Sequence, residues 1–162
     1  MPRFQNFTLK EFCASETATR RRIDNTPDFD EVLHAVELID KILQPLRTAW
    51  AQADGKGSGL RITSGYRCAV LNKAVGGVSN SAHLAGFAAD VQPINGKLEE
   101  FIVFAEQWLR ANGVAFDQSI REKSGKAEWW HIGIRDRYGR QRRQYLAIDK
   151  GTGTTRHLEY TG

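Results

Sequence analysis

The chain of 162 residues is long enough to bury one hydrophobic core, and we expect residues 1–162 to form a single domain. Its hydrophobic content of 41% and charged content of 26% are typical of a soluble globular protein, and it has no apolar run of membrane-spanning length. We therefore expect no membrane insertion. The net charge of +4 favours an anionic partner, although a basic surface with no partner explains the charge equally well.

The first part of the chain is predicted to be helical. Thr8 and Glu11 have the spacing of a capping box, which predicts a short helix over TLKEFCAS. Thr26 followed by Pro27 predicts the start of a longer helix, which Pro45 should kink. Apolar residues of this helix recur every three or four positions, as on one buried face: Val32, Val36, Ile39, Leu43, Leu46 and Trp50.

The middle of the chain alternates between predicted strands and helices. LRITSGYR and ADVQP are predicted strands, CAVLNKAVGG is a short helix, and LEEFIVFAEQWLRANG is an amphipathic helix capped by Gly113. FDQSI and AEWWHIGI are predicted to form a hairpin. An arginine-rich tail without periodicity begins at about residue 135. The pattern predicts an α+β fold in which a small antiparallel sheet packs against helices.

The segment SNSAHLAGFAAD places His83 and Asp90 among small apolar residues, where an enclosed charge needs a partner. His131, in EWWHIGI, could complete a site of two histidines and one carboxylate, which is typical of a catalytic zinc ion. We prefer zinc to iron because only Lewis acidity is needed. A histidine inside an apolar strand can also be an ordinary core residue. We expect His34 and His157 to be solvated.

Glu128 precedes His131 by three residues and is a candidate general base. Residues three apart in a regular strand face opposite sides of the sheet. We therefore predict that Glu128 lies just before the regular strand, or that a bulge turns it toward His131.

These motifs resemble a known family. SGYR, VGG, SAHLAGFAAD and EWWH together resemble the zinc D-Ala-D-Ala carboxypeptidases and dipeptidases of metallopeptidase family M15, and most closely its phage-lysin-like branch. The resemblance implies a hedgehog/D-Ala-D-Ala-peptidase-like fold. It also implies one Zn²⁺ per chain, bound by His83, Asp90 and His131, with Glu128 as the catalytic base.

Further roles are implied by the same resemblance. Arg67, in SGYR, would stabilise the developing oxyanion, and Ser81 would lie close to bound substrate. Gln118, in FDQSI, would flank the cleft. Without the family, a structural salt bridge would be the favoured explanation of Arg67.

The implied function is a zinc peptidase that cuts peptidoglycan stem or cross-bridge peptides. A non-catalytic wall-binding or phage structural module on the same fold is the alternative, and nucleic acid is not expected because no recognition motif is present. Lacking an apolar leader, the chain should be made in the cytoplasm without a signal peptide. It should act on the wall after release or as a virion component. Carboxypeptidase and endopeptidase action both stay open, as does pairing of Cys13 with Cys68.

Overall fold

The computed structural model describes residues 4–159. Several helices accompany one mostly antiparallel sheet, which confirms the predicted α+β fold. The helices are α1 (Leu9–Cys13), α2 (Glu16–Arg21), α3 (Phe29–Leu38), α4 (Gln44–Ala53), α5 (Ala69–Ala74) and α6 (Leu98–Ala111). The strands are β1 (Leu60–Ser64), β2 (Ala88–Pro93), β3 (Gln118–Ser124), β4 (Ala127–Gly133), β5 (Gln144–Asp149) and β6 (Thr154–His157).

The strands form one sheet in the order β1-β2-β4-β3-β5-β6. Every neighbouring pair is antiparallel except β3 and β5, which run parallel. Strands β5 and β6 come from the segment in which the sequence predicted only an arginine-rich tail. Most of their residues are half-buried or exposed, so they lack the apolar alternation that marks a strand in a sequence.

The long helix starts later than predicted and is continuous past Pro45. Its N-cap is Asp28, which forms a capping box with Glu31, whereas Thr26 donates to Asp24 at 2.6 Å. A π-helical turn (Ile39–Leu43) joins α3 to α4 immediately before Pro45. Proline has no backbone N–H and crowds the carbonyl four residues earlier, so a wider turn at this place is physically reasonable.

The core lies between the helices and one face of the sheet. Trp130 on β4 is fully buried, meets Phe101 of α6 edge-on, and donates to Ser119 Oγ at 2.9 Å. Trp50 of α4 packs edge-on against the same phenylalanine. Since side chains alternate along a strand, the neighbour His131 points to the opposite face, away from α6. Within residues 4–159, no helix is both long and apolar enough to cross a membrane.

Gly86 generates a stability prediction because it combines a left-handed backbone with a close approach to another element. Its φ is 77°, and an added Cβ would lie 2.5 Å from the Glu31 carbonyl oxygen. Gly96 is a matched control, with φ of 76° and nothing within 4 Å of an added Cβ. Gly96→Ala should lower the free energy of unfolding by about 1–2 kcal/mol, the cost of a left-handed L-residue.

Gly86→Ala should lower the free energy of unfolding by about 2–5 kcal/mol, because overpacking adds to the same backbone strain. Urea unfolding followed by circular dichroism would measure both variants. Equal losses in the two variants would contradict a tight contact between Gly86 and α3.

Candidate metal centre

Two of the predicted ligands are brought together by the register of the sheet. Asp90 on β2 and His131 on β4 are direct antiparallel partners, so their side chains lie next to each other on one face. His83 lies in a short 3₁₀ turn (Ala82–Ala85) that precedes β2. All three side chains are buried, and each offers a donor atom within 4.8 Å of the other two.

The distances within this cluster fit a metal ion. His131 Nδ1 lies 3.0 Å from Asp90 Oδ1, and His83 Nε2 lies 3.3 Å from the same oxygen. Ligands on a tetrahedron with bonds of about 2.0–2.1 Å are separated by about 3.3 Å. Two nitrogens and one carboxylate at these separations could hold one divalent cation and leave a position open.

The orientation of His83 is fixed by its surroundings. Its Nδ1 lies 2.6 Å from the carbonyl oxygen of Gly65, which can only accept, so Nδ1 carries the proton. Nε2 therefore keeps its lone pair and faces Asp90. Ser81 Oγ accepts from the backbone N–H of His83 at 3.2 Å and caps the turn.

His34 supports the same turn and is not the solvated residue that the sequence suggested. Its ring stacks on Phe87 at a centroid distance of 3.8 Å. Its Nδ1 is bonded to the carbonyl oxygen of Ala85 at 2.7 Å. Helix α3 thus contacts the segment that joins His83 to β2 at Ala85 and Phe87.

The pKa shifts of His83 and Asp90 favour the forms that bind a metal, whereas the pKa shift of His131 favours a bound proton in the metal-free protein. Burial lowers the pKa of His83 and favours its neutral form. Burial alone would raise the pKa of Asp90, but the two neighbouring imidazoles, including a hydrogen bond from His131, outweigh burial and lower this pKa overall, so the carboxyl is ionised. Burial also lowers the pKa of His131, yet the hydrogen bond and charge of Asp90 outweigh it and raise this pKa overall.

Glu128 is not brought to the cluster. It lies within the regular strand β4, where it pairs with Lys123 without a bulge, and it is exposed. It lines a groove beside Leu98 and Ile102 of α6, and none of the three candidate ligands lines this groove. The prediction that Glu128 precedes the strand or sits at a bulge is therefore wrong, and the alternation of side chains keeps this carboxylate on the opposite face from His131.

A different carboxylate, that of Glu122 on β3, lies beside the cluster. Ile120 pairs with His131, and Glu122 lies two residues further along on the same face. Its carboxylate is buried, with Oε1 at 3.6 Å from His131 Nδ1. Gln118, Ile120 and Glu122 are spaced two residues apart, so their side chains lie on one face of β3. Together with the register of the β3–β4 hairpin, this spacing could have indicated from the sequence that Glu122 lies near His131.

The cluster opens into a cleft of about 590 Å³, to which Arg67, Ser81 and Gln118 also contribute. Arg67 is half-buried, and its Nε has no hydrogen-bond partner among residues 4–159, while one terminal nitrogen lies 3.5 Å from Ser81 Oγ. Burial lowers the pKa of Arg67, and the negative charges of Asp90 and Glu122 offset only part of this decrease. Gln118 donates to Gln144 at 2.9 Å on the cleft wall.

Several arginines of the segment after residue 134 are engaged within the molecule. Arg142 makes two hydrogen bonds to the buried Asp117, at 2.7 and 2.8 Å. Arg135 makes two hydrogen bonds to Glu37, at 3.0 and 3.2 Å, and Arg140 pairs with Asp136. The ion pairs of Arg142 and Arg135 connect the segment to the rest of the protein, whereas that of Arg140 lies within the segment. Cys13 and Cys68 are free thiols.

A model of the family described as Peptidase M15 matches residues 5–132. The chain belongs to the peptidase M15 family. Members of this family are metal-dependent peptidases, which agrees with the buried donor cluster. No match was found among curated proteins. The matched residues of this M15 peptidase include all three candidate ligands, whereas β5 and β6 lie beyond them.

The donor cluster generates a metal-binding prediction. Zn²⁺ added to metal-free protein should bind at one site per chain, and His131→Ala should weaken binding by at least about tenfold because a buried ligand is lost. Isothermal titration calorimetry would measure both affinities. His157→Ala, which removes an exposed histidine of β6, is the matched control and should bind like the parent protein. A larger loss in His157→Ala than in His131→Ala would contradict the site.

Proposed function

We propose that the protein is a zinc-dependent peptidase that hydrolyses peptide bonds in peptidoglycan stem or cross-bridge peptides. The observation that carries this proposal is the His83–Asp90–His131 donor cluster, which lies beside a buried glutamate in an open cleft. Zinc is supported by the ligand types, since two imidazoles and one carboxylate with an open position are typical of catalytic zinc.

Zinc held by these residues would polarise the scissile carbonyl and lower the pKa of a water molecule. Glu122 is the residue placed to accept a proton from the attacking water, because its Oε1 is 3.6 Å from His131 Nδ1. The same carboxyl would then deliver the proton to the leaving amine. This assigns to Glu122 the role of general base that the sequence suggested for Glu128.

Arg67 is the donor available for the oxyanion of the tetrahedral intermediate. Its Nε–H has no hydrogen-bond partner among residues 4–159, and its guanidinium lines the cleft. A donor that gains its partner only as charge develops lowers the activation barrier. Ser81 is close enough to steady this guanidinium, and we assign Gln118 to the wall that contacts the substrate peptide.

The peptidoglycan substrate is supported by the resemblance of SGYR, SAHLAGFAAD and EWWH to D-Ala-D-Ala peptidases and by the basic net charge of +4. A basic protein is attracted to an anionic wall polymer. Action on the wall after release from the cell, or as a virion component, fits the same substrate. A wall-binding module without catalysis would need no carboxylate beside the cluster, so Glu122 favours the enzyme.

Purified peptidoglycan is the direct test of this function. We would incubate it with the protein, count new amino groups and determine the masses of the released fragments. Cleavage that is lost in EDTA and restored by Zn²⁺ would support the proposal, and the masses would separate carboxypeptidase from endopeptidase action. Zinc binding without any cleavage would contradict it and favour the binding module.

The two glutamates give a discriminating pair of variants. Glu122→Gln should lower kcat/KM by a factor of about 10²–10⁴, the usual contribution of a general base. Glu128→Gln should leave kcat/KM near the parent value, because this exposed carboxylate faces the other side of the sheet. Zinc content should be unchanged in both. The reverse pattern of losses would return the role of base to Glu128.

A further inference from the structure

The two oxygens of Glu122 have different neighbours. Oε1 lies 3.6 Å from His131 Nδ1, on the metal side. Oε2 lies 3.2 Å from the ammonium nitrogen of Lys150, in an ion pair without the alignment of a hydrogen bond. The Glu122 side chain is only 8% exposed, whereas that of Lys150 is 48% exposed. The buried carboxylate thus has a cation on the side away from the ligands.

Lys150 is itself held in place at the start of the turn between β5 and β6. Its backbone N–H donates to the carbonyl oxygen of Lys123 at 2.8 Å, which fixes the turn to the end of β3. Its ammonium group lies 5.4 Å from the centre of the Trp129 ring, within the range of a cation–π interaction. Trp129 is the cross-strand partner of Glu122, so the three side chains form one cluster.

We propose that Lys150 is a positioning residue that holds the Glu122 carboxylate with Oε1 toward the metal ligands. The terminal torsion of a glutamate is broad and roughly two-fold, so packing alone defines its carboxylate weakly. A buried carboxylate that loses its cation is strongly disfavoured and turns toward water. With the ammonium on Oε2, the side chain stays in the cleft and Oε1 stays beside His131.

This contact is supplied by a part of the chain that the family match does not include. The match ends at residue 132, and the turn that carries Lys150 follows β5. The β5–β6 hairpin therefore does more than extend the sheet, since it adds a charged side chain to the rim of the cleft. The inference rests on the proposed role of Glu122 as the general base.

The test compares Lys150→Met, Lys150→Arg and the control Lys126→Met, which changes an exposed lysine of the β3–β4 turn. With a soluble peptide substrate, Lys150→Met should lower kcat about ten- to a hundredfold, the effect of a small misplacement of a catalytic group. Because substrate binding is not altered, KM should change by less than about twofold. Lys150→Arg keeps the charge and should recover most of the lost kcat, and Lys126→Met should equal the parent protein.

Crystal structures of metal-free Lys150→Met and Lys150→Arg would add a readout that does not depend on activity. Glu122 Oε1 should move away from His131 Nδ1 in the first variant and stay in the second. Zinc content should be unchanged in both variants. Parent-like kcat in Lys150→Met, an unmoved carboxylate or an equal loss in Lys126→Met would overturn the positioning role.

The failure of this inference is distinguishable from failure of the proposed function. If Glu122→Gln is inactive while Lys150→Met is fully active, only the positioning role is lost. If Glu122→Gln is fully active, the proposed base is wrong and the role of Lys150 falls with it.

Discussion

A carboxylate buried between two imidazoles is the constraint on which the rest of this structure depends. Asp90 has a low pKa because His83 and His131 both face its Oδ1, at 3.3 and 3.0 Å, and together outweigh the cost of burial. An unpaired charge at this depth would be strongly destabilising. The register of β2 with β4 places Asp90 beside His131, and the tight turn that ends at Gly86 contains His83. The backbone of this region therefore positions the same atoms that could bind a metal.

The donor cluster was predictable from the sequence, and the carboxylate beside it was not. His83 and Asp90 are close in the chain within a small apolar segment, and EWWH gives His131, so residue type and spacing indicate the set. Which carboxylate lies beside the cluster depends on the direction of each side chain along its strand, and that direction follows from the hairpin register. The regular pairing of β3 with β4 puts Glu128 on the helix side and Glu122 on the cleft side. A motif that spans three residues of a strand does not contain this information.

The end of the chain shows a second limit of sequence patterns. The α+β class and most helices and strands follow from periodicity, but most residues of β5 and β6 are half-buried or exposed, and these strands carry no such signal. Their place is set by tertiary contacts, namely the parallel pairing with β3 and the Arg142–Asp117 ion pair. A segment whose composition suggested a basic tail instead closes one side of the cleft and brings Lys150 to Glu122.

The central claim is that His83, Asp90 and His131 hold one zinc ion. Anomalous diffraction from crystals grown with Zn²⁺, recorded on both sides of the zinc absorption edge, tests it most directly. The account predicts one strong anomalous peak per chain, with His83 Nε2, an Asp90 oxygen and His131 Nδ1 at about 2.0–2.2 Å from it. A peak elsewhere with none at this cluster, or no peak at all, would contradict the metal centre.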